Sequence, residues 1–222
     1  MQAMLSSYPG AITMNGDFLF LIFFLVIFIV GMAIRGYYGR RSPDLEKPRG
    51  ERVRSAIEHE GRLSFTLLML QMLFMLFAVV VYIFFMPLFP WLVFLLPDWV
   101  RWLGVIIGFI SLVFLGWVQA SLDRGFSPSL TIQEEHHLVT EGPYQWVRHP
   151  MYTVHIFYFL SWFLISANIL FFFVWLLMLF YIISRIPKEE AMLLSQFGDE
   201  YRDYMHRTGR LLPPLRKKQK DS

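Results

Sequence analysis

The chain has 222 residues, of which 56% are hydrophobic and 17% charged, with 23 Phe, 12 Met and 7 Trp. Soluble domains run at about 25% charged residues, so this chain carries more apolar surface than water tolerates, and the same load excludes disorder. With no cysteine a disulfide scaffold, thiolate catalysis and thiolate-bound metal are excluded, and a formal net charge of +3 is too small to point to nucleic acid.

A helix rises about 1.5 Å per residue, so roughly 20 apolar residues cross a hydrocarbon layer about 30 Å thick. Phe18 to Ile34 is uncharged between Asp17 and Arg35, and Ser64 to Met86 is uncharged up to Pro87. These are the first two spans. Leu88 to Trp99, with Pro90, Pro97 and two tryptophans, reads as an interfacial turn. Trp102 to Leu122 is the third span. From Met151 to Ile186 the chain is too long for one crossing, and Ser166 and Asn168 fall near its middle, so it reads as a hairpin of two short helices.

The expected fold is therefore an all-α polytopic membrane protein of about five helices. Residues 1–122 supply three spans, and residues 123–222 supply a polar loop, the hairpin and an amphipathic C-terminal helix. Five spans put 19 of the 20 Lys and Arg on one side, with only Arg101 on the other. By the positive-inside rule the N-terminus is expected outside and the C-terminus in the cytoplasm. Without a basic region before it, the first span reads as a retained anchor and not a signal peptide.

Lipid accounts for the apolar helices, so function is sought in the polar residues that lipid does not require. One group is Gln133 to Tyr152, which runs into the fourth helix; the other is Arg185 to Leu194, which leaves the fifth. A hairpin brings both to the same membrane face. Gly142-Pro143 marks a tight turn, and Pro150 suits a first helical position, where a missing N–H costs nothing. His149 then stands at the helix entrance, near free N–H groups that suit an anionic ligand group. The ordinary alternative makes Arg148 and His149 plain interfacial residues.

Arg185 and Glu189 are four residues apart and share a helix face, with Pro187 between them expected to kink the helix. Arg185 at the end of an apolar span is a functional-site candidate, with snorkelling as the alternative. Leu194, Phe197, Tyr201 and Tyr204 recur at helical spacing as an interfacial stripe, with Gly198-Asp199 positioned to end one short helix and cap the next. Arg216 to Lys220 reads as a solvated tail near anionic lipid heads.

His136-His-Leu-Val139, Gly142-Pro-Tyr144, Val147-Arg-His-Pro-Met-Tyr152, Glu189-Glu190 and Phe197-Gly-Asp-Glu-Tyr201, followed by Tyr204 and Pro213, together resemble the isoprenylcysteine carboxyl methyltransferase family and its phospholipid methyltransferase relatives. The resemblance covers about the last hundred residues. It implies an integral-membrane enzyme that uses S-adenosylmethionine and no metal. Carried over, His136, His137, Leu138 and Val139 hold the adenosine end, Tyr144 lines the pocket, and His149, Pro150, Met151 and Tyr152 surround the cofactor. Glu189 binds its polar groups, and Arg185 faces the methyl acceptor, making Arg185 and Glu189 the catalytic pair. The chain departs from the family pattern at Thr153 and Val154, where a glycine often follows the tyrosine, and at Pro187.

Methyl transfer from a sulfonium is an in-line displacement, so the protein need only align donor and acceptor and exclude water. An arginine suits an acceptor carboxylate, and aromatic faces suit a sulfonium. No G-x-G occurs, so the glycine-rich turn of soluble methyltransferases is absent. The expected acceptor is lipophilic, an isoprenylcysteine-like carboxylate first and a phospholipid or small lipophilic molecule second. Membrane lipids are the other partners, with neither nucleic acid nor metal. A nicotinamide-dependent reductase related to membrane sterol reductases and a non-catalytic lipid-binding scaffold are the rivals.

Overall fold

The structure is a computed structural model that describes residues 14–41, 48, 50–51, 54, 57, 62–122 and 138–214. Five long helices follow one another: α1 (Met14–Gly39), α2 (Arg62–Val80), α3 (Asp98–Leu122), α4 (Pro150–Ser166) and α5 (Ile169–Arg207). The described residues contain no strand. Among the described residues four helices are long and apolar enough to cross a membrane, and α4, with 17 residues, is shorter. Phe180, Ile183, Val113 and Leu73 lie 62–72% exposed on the outer surface, an arrangement that water would penalise and lipid does not.

The inner faces meet through aromatic rings. Phe24 of α1, Trp162 of α4 and Phe171 of α5 are fully buried, with Phe24–Trp162 and Trp162–Phe171 centroids 5.6 and 5.9 Å apart. α3 and α4 approach closely at Gly104, where an added Cβ would lie 2.6 Å from Leu164 Cβ and 3.0 Å from the Ile165 nitrogen.

The hairpin turns where the sequence places it. Ala167 takes a left-handed conformation (φ 49°), and Asn168 accepts from the Leu170 N–H at 2.8 Å to cap α5. The second arm, however, is not short. The backbone stays helical through Pro187 and reaches Arg207, and its break in dihedral angles falls at Gly198 (φ 54°, ψ −122°). A proline removes one backbone bond, whereas that pair of angles at Gly198 is open mainly to glycine. The break thus falls at the Gly198-Asp199 step expected to end a helix, while the helix runs through Pro187 with helical dihedral angles, and the amphipathic stripe continues α5.

The two ends of the bundle differ in chemistry. At one end, Arg101 pairs with Asp17 at 2.6 Å, donates to the Ile165 carbonyl at 3.1 Å and covers the Phe20 ring. At the other, Arg35 of α1 meets His155 of α4 at 2.7 Å, and Lys188 of α5 donates to Ser64 of α2 at 2.8 Å. The described residues of both polar segments singled out by the sequence, 138–152 and 185–194, lie at this second end.

Candidate functional site

The site is assembled by three segments. After Leu138 and Val139, half-buried and irregular, the chain tightens into a 3₁₀ turn, Gly142–Gln145. Gly142 opens it at φ 59°, against Ser121 of α3, where a Cβ would lie 2.5 Å from the serine oxygen. Tyr144 on this turn packs with Met151 against Leu115, Val118 and Val154. Burial first, then the charge of Glu189 and the neighbouring Tyr204, push its phenol well above the usual tyrosine range.

Pro150 begins α4 and His149 is its N-cap residue, as expected, but the imidazole caps nothing. It turns toward α5 instead. His149 Nε2 lies 3.3 Å from Glu190 Oε1, and Nδ1 lies 3.9 Å from Glu189 Oε2. A carboxylate only accepts, so Nε2 carries the proton and Nδ1 keeps its lone pair. Burial holds the His149 pKa below the ordinary value although both glutamates pull it up, and Arg148 adds to the lowering. Tyr152, in the first turn of α4, donates to Glu189 Oε2 at 2.6 Å and stacks on His149 at 5.5 Å between centroids.

The third segment is the chain after α5. Residues 208–211 run beside the loop. Gly209 N–H donates to the Trp146 carbonyl at 3.0 Å, Arg148 N–H to the Gly209 carbonyl at 2.8 Å and His149 N–H to the Arg210 carbonyl at 3.1 Å. Thr153 adds a bond to the Leu211 carbonyl at 2.6 Å, and Tyr204 donates to the Tyr144 carbonyl at 2.7 Å. This closure fixes the direction in which His149 points.

Of the sequence candidates, His149, Tyr152 and Glu189 converge. Pro150 is buried at the first position of α4, while Met151 and Tyr144 form an apolar wall. Arg185 lies one turn before Glu189 and turns toward Tyr181, to which it hydrogen-bonds and whose ring it approaches at 5.5 Å. His136 and His137 lie outside the described residues.

The sequence reading missed the partner of the other glutamate. Glu190 Oε1 receives Arg148 Nε at 3.1 Å and Arg210 Nε at 3.2 Å, and Oε2 receives the Arg210 terminal nitrogen at 2.6 Å. Arg148, which the composition of a membrane interface explains equally well, also donates to the carbonyls of Met205 and Thr208. The available signal was the double glutamate itself. Adjacent helical residues point about 100° apart, so one of the two must be matched by protein cations if the other faces a cleft.

The division leaves an acceptor-rich cleft. Among the described residues Glu189, with a side chain 24% exposed, accepts only from Tyr152. Beside it stand the Nδ1 lone pair of His149 and two aromatic rings.

The model of the isoprenylcysteine carboxyl methyltransferase (ICMT) family matches residues 102–195, which include most of α3, all of α4 and about the first two thirds of α5. This segment is similar to that family. His149, Tyr152, Glu189 and Glu190 all lie within the matched segment, whereas Arg210 lies beyond it. A protein-S-isoprenylcysteine O-methyltransferase of Tribolium castaneum is 38% identical over 80 residues, 36% of this chain and 28% of that relative. One of Schizosaccharomyces pombe is 39% identical over 72 residues, 32% of this chain and 30% of the relative. The similarity thus spans less than a third of the length of either relative.

Proposed function

We propose that the protein is an integral-membrane methyltransferase that uses S-adenosylmethionine to methylate the carboxylate of an isoprenylcysteine-like acceptor. The observation that carries this reading is the meeting of His149, Tyr152 and Glu189 inside the segment that matches the ICMT family. Its chemistry fits the donor. S-adenosylmethionine presents a sulfonium, an ammonium and ribose hydroxyls, all cationic or hydrogen-bond-donating, and the cleft offers a carboxylate, an imidazole lone pair and aromatic faces. A dinucleotide would instead bring a pyrophosphate toward Glu189, which disfavours the reductase reading.

When bound, S-adenosylmethionine supplies a methyl group on a positively charged sulfur. The protein's own residues hold and align. Glu189 takes donor hydroxyl or ammonium groups, oriented by the Tyr152 hydroxyl, and His149 accepts at Nδ1 because Glu190 fixes its proton on Nε2. His136, His137, Leu138, Val139 and Tyr144 supply the wall for the adenosine. Arg185 grips the acceptor carboxylate, with the prenyl chain left among lipid-facing helices. Alignment and exclusion of water are the main catalytic contributions such a site makes. The basic end of the bundle, which contains this site, faces the cytoplasm, with the N-terminus outside.

The test is methyl transfer from labelled S-adenosylmethionine to an S-farnesylated N-acetylcysteine by the detergent-solubilised full chain. The free acid is expected to be labelled and its preformed methyl ester is not. Binding of a reduced nicotinamide cofactor in place of S-adenosylhomocysteine would favour the reductase, and binding of neither would overturn both enzyme readings.

A further inference from the structure

Between Leu67 and Val80 the only polar side chain of α2 is Gln71. Leu70, Leu73 and Phe77 on either side of it face outward, yet Gln71 is turned inward and is 7% exposed. It makes no hydrogen bond among the described residues. Its amide is also not one of the sealed polar atoms, such as Trp162 Nε1, that nothing can reach. Buried amides are paired almost without exception, and hydrocarbon supplies no partner where the protein does not.

Two contacts fix what faces this amide. α2 packs on α5 and runs antiparallel to it, with Lys188 donating to Ser64 at 2.8 Å at the end that holds the site, and the rings of Tyr82 and Phe171 5.5 Å apart toward the other. Both helices rise about 1.5 Å per residue. Seven residues on from Ser64 to Gln71 therefore match seven back from Lys188 to Tyr181, and eleven back from Tyr82 match eleven on from Phe171 to Ile182. Leu68, about one turn nearer the site, packs against Tyr181, Ile182 and Ile186. Gln71 thus stands level with Tyr181, whose hydroxyl accepts from Arg185. Tyr152 of the cleft packs against the same cluster.

We propose that Gln71 is a specificity-determining residue, whose side chain hydrogen-bonds an amide of the methyl acceptor beside the carboxylate that Arg185 holds. The assignment rests on the methyltransferase reading and deepens it. In an N-acylated cysteine the amide nitrogen and the carboxylate are attached to one carbon atom, so a carboxamide and a guanidinium at one level of the α2–α5 seam can take the two together. A carboxamide offers two donor hydrogens and an acceptor oxygen, which answer both the C=O and the N–H of an amide. The ester groups of bulk lipid have no donor to give in return.

The test uses the full chain in detergent with S-adenosylmethionine and two acceptors, N-acetyl-S-farnesylcysteine and 3-(farnesylthio)propanoic acid, which keeps the carboxylate and the thioether and lacks the amide. The wild type is expected to favour the first in kcat/KM by roughly five- to tenfold, the size of one hydrogen bond. In Gln71→Leu that preference is expected to vanish through a raised KM for the N-acetyl acceptor, with kcat unchanged, as for lost uniform binding. With S-adenosylhomocysteine in place of the donor, so that no transfer occurs, the rise in thermal midpoint given by each acceptor should follow the same pattern. The midpoint of the unliganded variant should equal or exceed that of the wild type, because leucine removes an unpaired buried amide. A wild type indifferent to the amide, or a variant that keeps the preference, would overturn the assignment. Equal weakening toward both acceptors, or a lowered midpoint, would assign Gln71 to packing, with the same consequence. A wild type that methylates neither acceptor would overturn the methyltransferase reading itself.

Discussion

Replacing Glu190 by Gln tests whether the arginine-flanked glutamate holds His149 in place. The side chains of Glu190 and Arg148 are 8% and 9% exposed, so this is a buried pair, whereas Arg210 is 54% exposed. Breaking a buried pair by neutralising one partner costs about 3–5 kcal/mol, because the remaining charge stays desolvated. Gln keeps the shape and one acceptor, and Arg148 keeps its bonds to the Met205 and Thr208 carbonyls, which sets the expectation at about 3 kcal/mol. At about 2–4 °C per kcal/mol for a chain of this size, the thermal midpoint in detergent should fall by roughly 6–12 °C. Arg210→Ala should cost no more than about 1 kcal/mol, since its guanidinium is largely in water. Arg148→Met alone should resemble Glu190→Gln, and the double variant should lose at least about 2 kcal/mol less than the two single losses combined. Additive losses would refute the idea that the two charges support one another. A small effect for Glu190→Gln with a large one for Arg210→Ala would refute the burial argument.

Arg185→Ala should leave affinity for S-adenosylhomocysteine intact and reduce methyl transfer at least tenfold, read as product formation at saturating cofactor. Loss of cofactor binding instead would move Arg185 to the donor side. His149 has a lowered pKa in the fold, and the unfolded chain takes up its proton near pH 6.5. Its neutral form therefore contributes stability fully present above about pH 6.5 and lost as pH falls toward the folded value. The thermal midpoint should drop between pH 7.5 and 5.5, and the drop should be smaller in His149→Gln. Gly104→Ala puts a Cβ against the α4 backbone at Ile165, and should lower the midpoint by the equivalent of about 1–3 kcal/mol, as overpacking does.

Much of this arrangement was legible because membranes impose simple rules. Uncharged runs ended by Asp17, Arg35 and Pro87 had to be helices, and the polar Ser166 to Asn168 step had to be a turn, since an exposed kink inside lipid would strand backbone groups. The hairpin then dictated that Met151 and Arg185 share an end. What the pattern could not show was the fate of each polar residue there, because interfacial arginines, ligands and ion-pair partners have the same composition. Pro187 is expected to kink the helix because proline alters the chain locally, yet the break in dihedral angles falls at Gly198, the step the sequence marks as a helix end.

The same difficulty explains the assignment of Glu189 and Glu190. Their positions differ by one residue, and the sequence carries no sign of which one faces the cleft. The choice is made by Arg148 and Arg210, 42 residues before and 20 residues after Glu190. Arg210 reaches Glu190 only because residues 208–211 pair with the loop backbone at Trp146, Arg148 and His149. A chain ending before Thr208 would lose the pairing and Arg210 together, and it would leave the buried His149 to be held by Glu190 and Arg148 alone. The C-terminal segment is therefore a structural part of the site, although the match to the family model ends at residue 195, and the geometry of His149 depends on residues that no motif around His149 contains.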